Sequence, residues 1–168
     1  MNYRISSSRT AWIAILAAFC AASAAVPAMA SPSCDSVFPI ALLQTTHPGQ
    51  TVTSLPNRPV GGAMLINCAY RVTGSGSISL KLFDSSLESP YSTTVKQLGM
   101  EGYKCLPIDS TLGFPASSCG LAAAAVTINT IVFTTTNGKY AAMLTGAGGS
   151  LTPLYAIAKA VNSNVPSR

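Results

Sequence analysis

The sequence predicts an all-β fold, an antiparallel β-sandwich of about eight short strands. Short apolar runs alternate every second residue, as they do in strands with one buried face. Clusters of Gly, Pro, Asn and Ser separate these runs at close intervals. No stretch has the periodicity of a convincing amphipathic helix, which leaves strands packed on strands as the expected architecture.

The segment 62–72 is expected to be a central strand of the sandwich. One face is strongly apolar, whereas Asn67 and Arg71 mark the opposite face as partly solvated. The residues of the apolar face are Met64, Ile66, Cys68 and Tyr70.

The other strands are predicted from the same alternation and from turn residues. Asn137-Gly138 is the strongest hairpin signal in the chain. The last segment, 151–161, contains alanines that also favour a helix, but Thr152-Pro153 and the alternation of Tyr155 with Ile157 favour a strand. The predicted strands besides 62–72 are 36–45, 50–55, 78–83, 91–98, 122–135, 139–144 and 151–161.

Residues 1–30 have the features of a secretory signal peptide. Arg4 and Arg9 precede an apolar run, and Ala28-Met29-Ala30 fits the small-residue cleavage signature, so cleavage is expected between Ala30 and Ser31. An uncleaved membrane anchor is the alternative, although the run is short and is followed at once by polar residues. The remaining residues, 31–168, are predicted to form a single domain stapled by disulfides.

Removal of the signal peptide also removes Cys20 and leaves four cysteines, an even number suited to two disulfides in an oxidising compartment. Of the three possible pairings, we favour Cys34 with Cys68 and Cys105 with Cys119, because each pair is consecutive. The second pair also flanks an irregular loop. A redox-active pair is disfavoured because the chain lacks a Cys-x-x-Cys motif.

The charged residues point away from nucleic-acid binding and from catalysis. Without Arg4 and Arg9 the formal charge falls from +5 to +3, and the basic residues are scattered singly. The acidic residues are also isolated, so neither a carboxylate pair nor a metal-ligand cluster is evident, and no cofactor is expected. The five acidic residues are Asp35, Asp84, Glu88, Glu101 and Asp109.

Two further motifs contain residue types that can carry chemistry. His47, the only histidine, precedes Pro48-Gly49 and is expected to be a solvent-facing turn residue without a catalytic role. The segment 146–149 is glycine-rich, but it is not expected to open a helix and no lysine follows it, so a phosphate cradle is not predicted. The sequence therefore predicts a protein that is not an enzyme.

The tyrosines of the mature chain offer a possible platform for sugar stacking. The simpler interpretation is that most of them are half-buried residues of the sheet. These residues are Tyr70, Tyr91, Tyr103, Tyr140 and Tyr155.

The early cysteine, a second cysteine on the third predicted strand, and the segment 52–65 with its proline-marked turn into Val60-Gly61 together resemble subunits of chaperone–usher fimbriae. The resemblance implies an incomplete immunoglobulin-like fold, completed by a strand from a periplasmic chaperone and then from a neighbouring pilin subunit. It further implies an usher as a partner, a host glycan or surface receptor as ligand, and passage through the periplasm to a cell-surface fimbrium.

Two departures from that family shape the prediction. Cys34 lies only four residues into the mature chain, where pilins carry a donor extension, and the C-terminal residues lack a penultimate tyrosine. The first departure is what a distal tip or minor subunit would show. We therefore expect a non-catalytic structural or adhesive fimbrial subunit; the alternative is a self-complete secreted or periplasmic β-sandwich binding module, for example for carbohydrate.

Overall fold

The computed structural model describes residues 31–56, 60–85, 90–123, 126–148 and 150–166. The predicted signal peptide, including the Ala30 side of the cleavage site, lies outside the described residues.

Seven strands form one antiparallel sheet in the order β1-β2-β3-β7-β6-β5-β4. Two meanders, one before and one after the middle of the chain, are joined by the pairing of β3 with β7. The strands are β1 (Val52–Ser54), β2 (Met64–Val72), β3 (Gly76–Asp84), β4 (Lys104–Pro107), β5 (Ala116–Ala123), β6 (Val126–Thr134) and β7 (Tyr140–Ala147).

The predicted antiparallel, mostly β, sandwich-like fold is confirmed, with 40% of the described residues in strands against 31% in helices. Helices provide the layers that pack on the sheet. One group of helices covers the face that holds the main core, and α3 covers the opposite face over β4 to β7. The helices are α1 (Cys34–Val37), α2 (Ile40–Thr46), α3 (Pro90–Met100), α4 (Asp109–Leu112) and α5 (Leu151–Asn164).

The main core lies between the sheet and the layer formed by α1, α2 and α5. Alternate residues of β2, β3, β6 and β7 point into it, and each fully buried aliphatic side chain stabilises the fold by about 1.5–3 kcal/mol. Its buried members include Cys68, Tyr70, Leu80, Leu82, Ile131, Phe133, Leu144, Leu154, Ile157 and Val161.

The predicted strand 151–161 is wrong, because this segment forms helix α5. Its buried residues follow the helical spacing i, i+3, i+4, i+7. Ser150 caps the helix by accepting from the Thr152 backbone N–H, and Pro153 lies in the first turn, where a proline is tolerated. The buried residues of α5 are Leu154, Ile157, Ala158 and Val161.

The predicted strands 36–45 and 91–98 are also helical. The first segment forms most of α1 and α2, and Ser33 with Ser36 makes a capping box that starts α1. The second lies in α3, which begins at Pro90, a residue favoured at the first helical position. Tyr91, Val95 and Leu98 recur at helical spacing and pack beside Cys119 and Val132 on the second face of the sheet.

The central strand 62–72 is confirmed as β2, flanked by β1 and β3. Ile66, Cys68 and Tyr70 are buried as expected. Met64 departs from the prediction because the register shifts between Met64 and Ile66, and such a bulge changes the face to which a side chain points. Met64 therefore lines the solvated face of the sheet together with Asn67.

The hairpin predicted at Asn137-Gly138 is confirmed between β6 and β7. Gly138 adopts a φ of +70°, a conformation that glycine enters without steric cost. Asn137 Oδ1 accepts hydrogen bonds from the Thr135 hydroxyl and from the Lys139 backbone N–H, at 2.6 and 3.1 Å. The predicted strand 122–135 is divided between the end of β5 and β6.

Both predicted disulfides are present. Cys34 of α1 is bonded to Cys68 of β2, with a Cα–Cα distance of 5.7 Å. Cys105 and Cys119 lie directly opposite each other on β4 and β5. Two disulfides indicate an oxidising, extracytoplasmic environment. Among the described helices, none has the length and apolar character needed to cross a membrane.

Candidate functional site

A cleft of about 340 Å³ opens at the N-terminal end of α5. We call it the His47 cleft. It lies where the end of α2, the β2–β3 turn, the beginning of β6 and the end of β7 meet the first turn of α5. Its polar lining consists of Thr46, His47, Gln50, Ser75, Asn129 and Ser150.

Two glycines let α5 begin close to the sheet. At Gly146 an added Cβ would lie 3.1 Å from Leu154 Cδ2, so a larger residue would require the Leu154 side chain to shift by a few tenths of an ångström. Gly148 has a φ of +76° and continues the turn toward Ser150. The expectation that the segment 146–149 does not open a helix is therefore wrong, because the segment leads directly to Ser150, the N-cap of α5. Gly149 itself lies outside the described residues.

His47 is a buried residue with only 8% of its surface exposed, so its prediction as a solvent-facing residue is wrong. The reason is that α2 ends here: the His47 backbone N–H donates to the Leu43 carbonyl at 2.9 Å, which places the ring over the last turn. Nδ1 lies 3.3 Å from the same carbonyl oxygen and 3.0 Å from the Thr46 hydroxyl.

These contacts favour one tautomer of the ring. A carbonyl oxygen can only accept, so Nδ1 must carry a proton to bond to Leu43. The Thr46 hydroxyl donates to the Leu42 carbonyl oxygen at 3.1 Å and is thus free to accept from Nδ1. In the neutral ring, Nε2 is then an acceptor, and it has no hydrogen-bond partner among the described residues.

Hydroxyl protons elsewhere in the cleft are also directed at the protein. The Ser75 hydroxyl donates to Gln50 Oε1 at 2.8 Å, and the Ser150 hydroxyl donates to Thr152 Oγ1 at 3.2 Å. The Gln50 amide nitrogen has no partner within the described part of the chain. The cleft thus presents acceptors at His47 Nε2 and Ser75 Oγ and donors at the Gln50 amide.

The described residues that line the cleft include no Asp, Glu, Lys or Arg, so its electrostatic character is neutral. A search of the described residues also finds no group of three His, Cys, Asp or Glu side chains arranged to hold a metal ion. Its chemistry is therefore that of hydrogen bonding beside an apolar wall, and the described side chains provide no ligand set for a metal cofactor.

The tyrosines lie elsewhere. Tyr70 and Tyr140 are buried in the main core, and Tyr155 packs at its margin. Tyr91 of α3 and Tyr103 pack against the small cluster on the opposite face of the sheet. Burial raises the pKa of the Tyr70 hydroxyl, and the negative charge of Asp35 adds to this effect. That hydroxyl donates to the Phe38 carbonyl at 2.8 Å. These positions are spread over both faces of the sheet, and none belongs to the His47 cleft.

Of the residues singled out in the sequence, the four cysteines come together as two structural bonds away from the cleft. The cleft itself was missed, although His47-Pro48-Gly49 held a usable signal: a polar ring followed by two helix-stopping residues fits the last position of a helix. No protein-family model, curated protein or solved structure matches the chain.

Proposed function

We propose that the chain is an exported, self-complete and non-catalytic binding module that takes a small molecule in the His47 cleft. The observation that carries this proposal is the state of His47. Its ring is more than nine-tenths buried and fixed through Nδ1, yet Nε2 is left without a partner among the described residues. Nε2 is not one of the fully buried polar atoms that lack a partner, so it still reaches the solvent of the cleft and can bond to a ligand there.

The packing of α5 supports a self-complete module. Leu154, Ile157 and Val161 lie in the main core, and α5 packs on β6 and β7. The main core is thus covered by a segment of the chain itself, whereas a fimbrial subunit would leave an open groove for a partner's strand.

The arrangement of the hydroxyl groups supports binding over catalysis. A serine nucleophile needs a base that takes its proton, whereas the Ser75 proton is directed at Gln50 Oε1. The described residues that line the cleft include no acidic residue to assist His47, whose Nδ1 bonds instead to a backbone carbonyl.

A fragment screen by NMR tests the proposal. Fragments that bind the cleft should shift the backbone amide signals of Ser75, Gly146 and Gly148. The substitution His47→Phe should lower their affinity by about tenfold, the effect of one lost hydrogen bond. Gln44→Ala, on the exposed side of α2, is the matched control and should bind like the original protein. A diverse screen without any cleft binder would refute the proposal.

The Cys34–Cys68 bond favours a second candidate, a fimbrial subunit, because the proposed resemblance depended on that pairing. In this alternative, assembly would use the short edge strands β1 and β4, whose outer edges suit the addition of a partner strand. Expression in a bacterial periplasm with and without a fimbrial chaperone tests it. A stable, soluble monomer obtained without the chaperone would exclude donor-strand assembly.

A further inference from the structure

We propose that the ligand of the His47 cleft is a neutral polyhydroxyl molecule of monosaccharide size. This inference rests on the proposed function and specifies the chemical class of the ligand. It follows from three properties of the cleft: its lack of charge, the directions of its free hydrogen bonds, and its apolar wall.

The lack of charge argues for a neutral ligand. A charged group that leaves water for a cleft needs a countercharge or several hydrogen bonds, and no described lining residue provides a countercharge at neutral pH. The first turn of α5 also offers an anion fewer free N–H donors than a helix start usually has. The Thr152 N–H is already bonded to Ser150 Oγ, and Pro153 has no N–H.

The free hydrogen-bonding groups match hydroxyls. His47 Nε2 and Ser75 Oγ can accept, while the Gln50 amide can donate. A hydroxyl group donates and accepts at once, so neighbouring hydroxyls on one ring satisfy both kinds of group together. A ligand that only accepts hydrogen bonds, such as a carboxylate, would leave the Nε2 acceptor of His47 unpaired.

The remaining wall is apolar and suits the carbon skeleton of a sugar or cyclitol. Ile78 and Leu154 are buried residues at its base, with Pro48 and Pro153 beside them. The volume, about 340 Å³, lies near the lower end of the range for small-molecule sites, about 300–1,000 Å³. The cleft is therefore sized for one ring.

Titration of the folded protein with D-glucose, D-galactose, D-mannose and myo-inositol, followed by amide NMR, tests the inference. At least one of these probes should shift the signals of Ser75, Gly146 and Gly148. We expect about tenfold weaker binding in His47→Phe and roughly fivefold weaker binding in Gln50→Ala, each of which loses hydrogen bonds to the ligand. Gln44→Ala removes an exposed glutamine of α2 that does not line the cleft and should leave binding unchanged.

Sodium acetate and inorganic phosphate serve as anionic probes in the same titrations. Cleft shifts with either anion but with none of the polyols would overturn the inference, as would polyol shifts unaffected by His47→Phe and Gln50→Ala. If fragments of another class bind the cleft while every polyol fails, the polyol inference is wrong but the binding function stands. If fragments and polyols all fail, both proposals are wrong. If the His47→Phe variant does not fold, the polyol affinity of Gln50→Ala alone tests the inference.

Discussion

The polar groups at the two ends of α5 differ in whether they are hydrogen-bonded within the protein. At the C-terminal end, Asn162 Oδ1 accepts from the Thr136 backbone N–H at 2.8 Å, and Asn164 donates to the Val37 carbonyl at 3.3 Å. At the N-terminal end, His47 and Gln50 keep groups that no described residue uses. The comparison teaches that one end of the helix is fastened to the fold while the other is left available for a ligand.

Removal of the Cys34–Cys68 bond should have the largest effect on the fastened end, because it releases α1, whose Val37 carbonyl holds Asn164. The bond spans 34 residues, so Cys34→Ser with Cys68→Ser should lower the free energy of unfolding by about 4 kcal/mol. Cys105→Ser with Cys119→Ser, spanning 14 residues, is the matched comparison at about 3 kcal/mol. Urea unfolding measures both; a larger loss from the shorter loop would contradict this ranking.

A pair of amide deletions tests the contrast directly. Asn162→Ala removes the bonds to Thr136 and should cost about 1 kcal/mol of stability. Gln50→Ala loses only its contact with Ser75 and should cost less, about 0.5 kcal/mol, while weakening ligand binding. Urea unfolding compares the two variants. Equal losses of stability would mean that the two ends are fastened alike.

The smallest expected effect is the loss of stability at high pH when Tyr70 ionises, because its hydroxyl donates to the carbonyl of Phe38 at the end of α1. The unfolded chain ionises Tyr70 near the ordinary pKa of 10.0, whereas burial holds the pKa of the folded chain above that value. The contribution of protonated Tyr70 to the free energy of unfolding is therefore fully present below pH 10. It is lost as the pH rises from there through the pKa of the folded state. Thermal unfolding at increasing pH should show this decline, and Tyr70→Phe should make it shallower. An identical decline in that variant would assign it to other groups.

Much of the sheet could be predicted from the sequence because its strands alternate within short windows. The clearest cases are Ile78, Leu80 and Leu82 of β3 and the Asn137-Gly138 hairpin, where local residues alone determine the conformation. The helices were missed because short apolar runs fit both periods. In α5, the alternation of Tyr155 with Ile157 favoured a strand, whereas the buried residues Leu154 and Ile157 are spaced three apart, as on one face of a helix.

The cleft was beyond local prediction. Its groups lie far apart in the chain, and the antiparallel pairing of β3 with β7 and of β7 with β6 brings Ile78, Gly146 and Asn129 side by side. The burial of His47 likewise depends on the contact between α2 and α5, two elements separated by most of the chain. Residue types suggested the cysteine pairs because consecutive pairing needs no knowledge of topology.

The arrangement of the two disulfides has a consequence for maturation. Each bond involves only one meander of the sheet: Cys34–Cys68 joins α1 to the first, and Cys105–Cys119 lies within the second. A chain that reaches an oxidising compartment from its N-terminus can close the first bond before Cys105 arrives, and so meets no competing thiol. Correct oxidation then follows the order of emergence, and the slow reshuffling of mispaired cysteines is avoided.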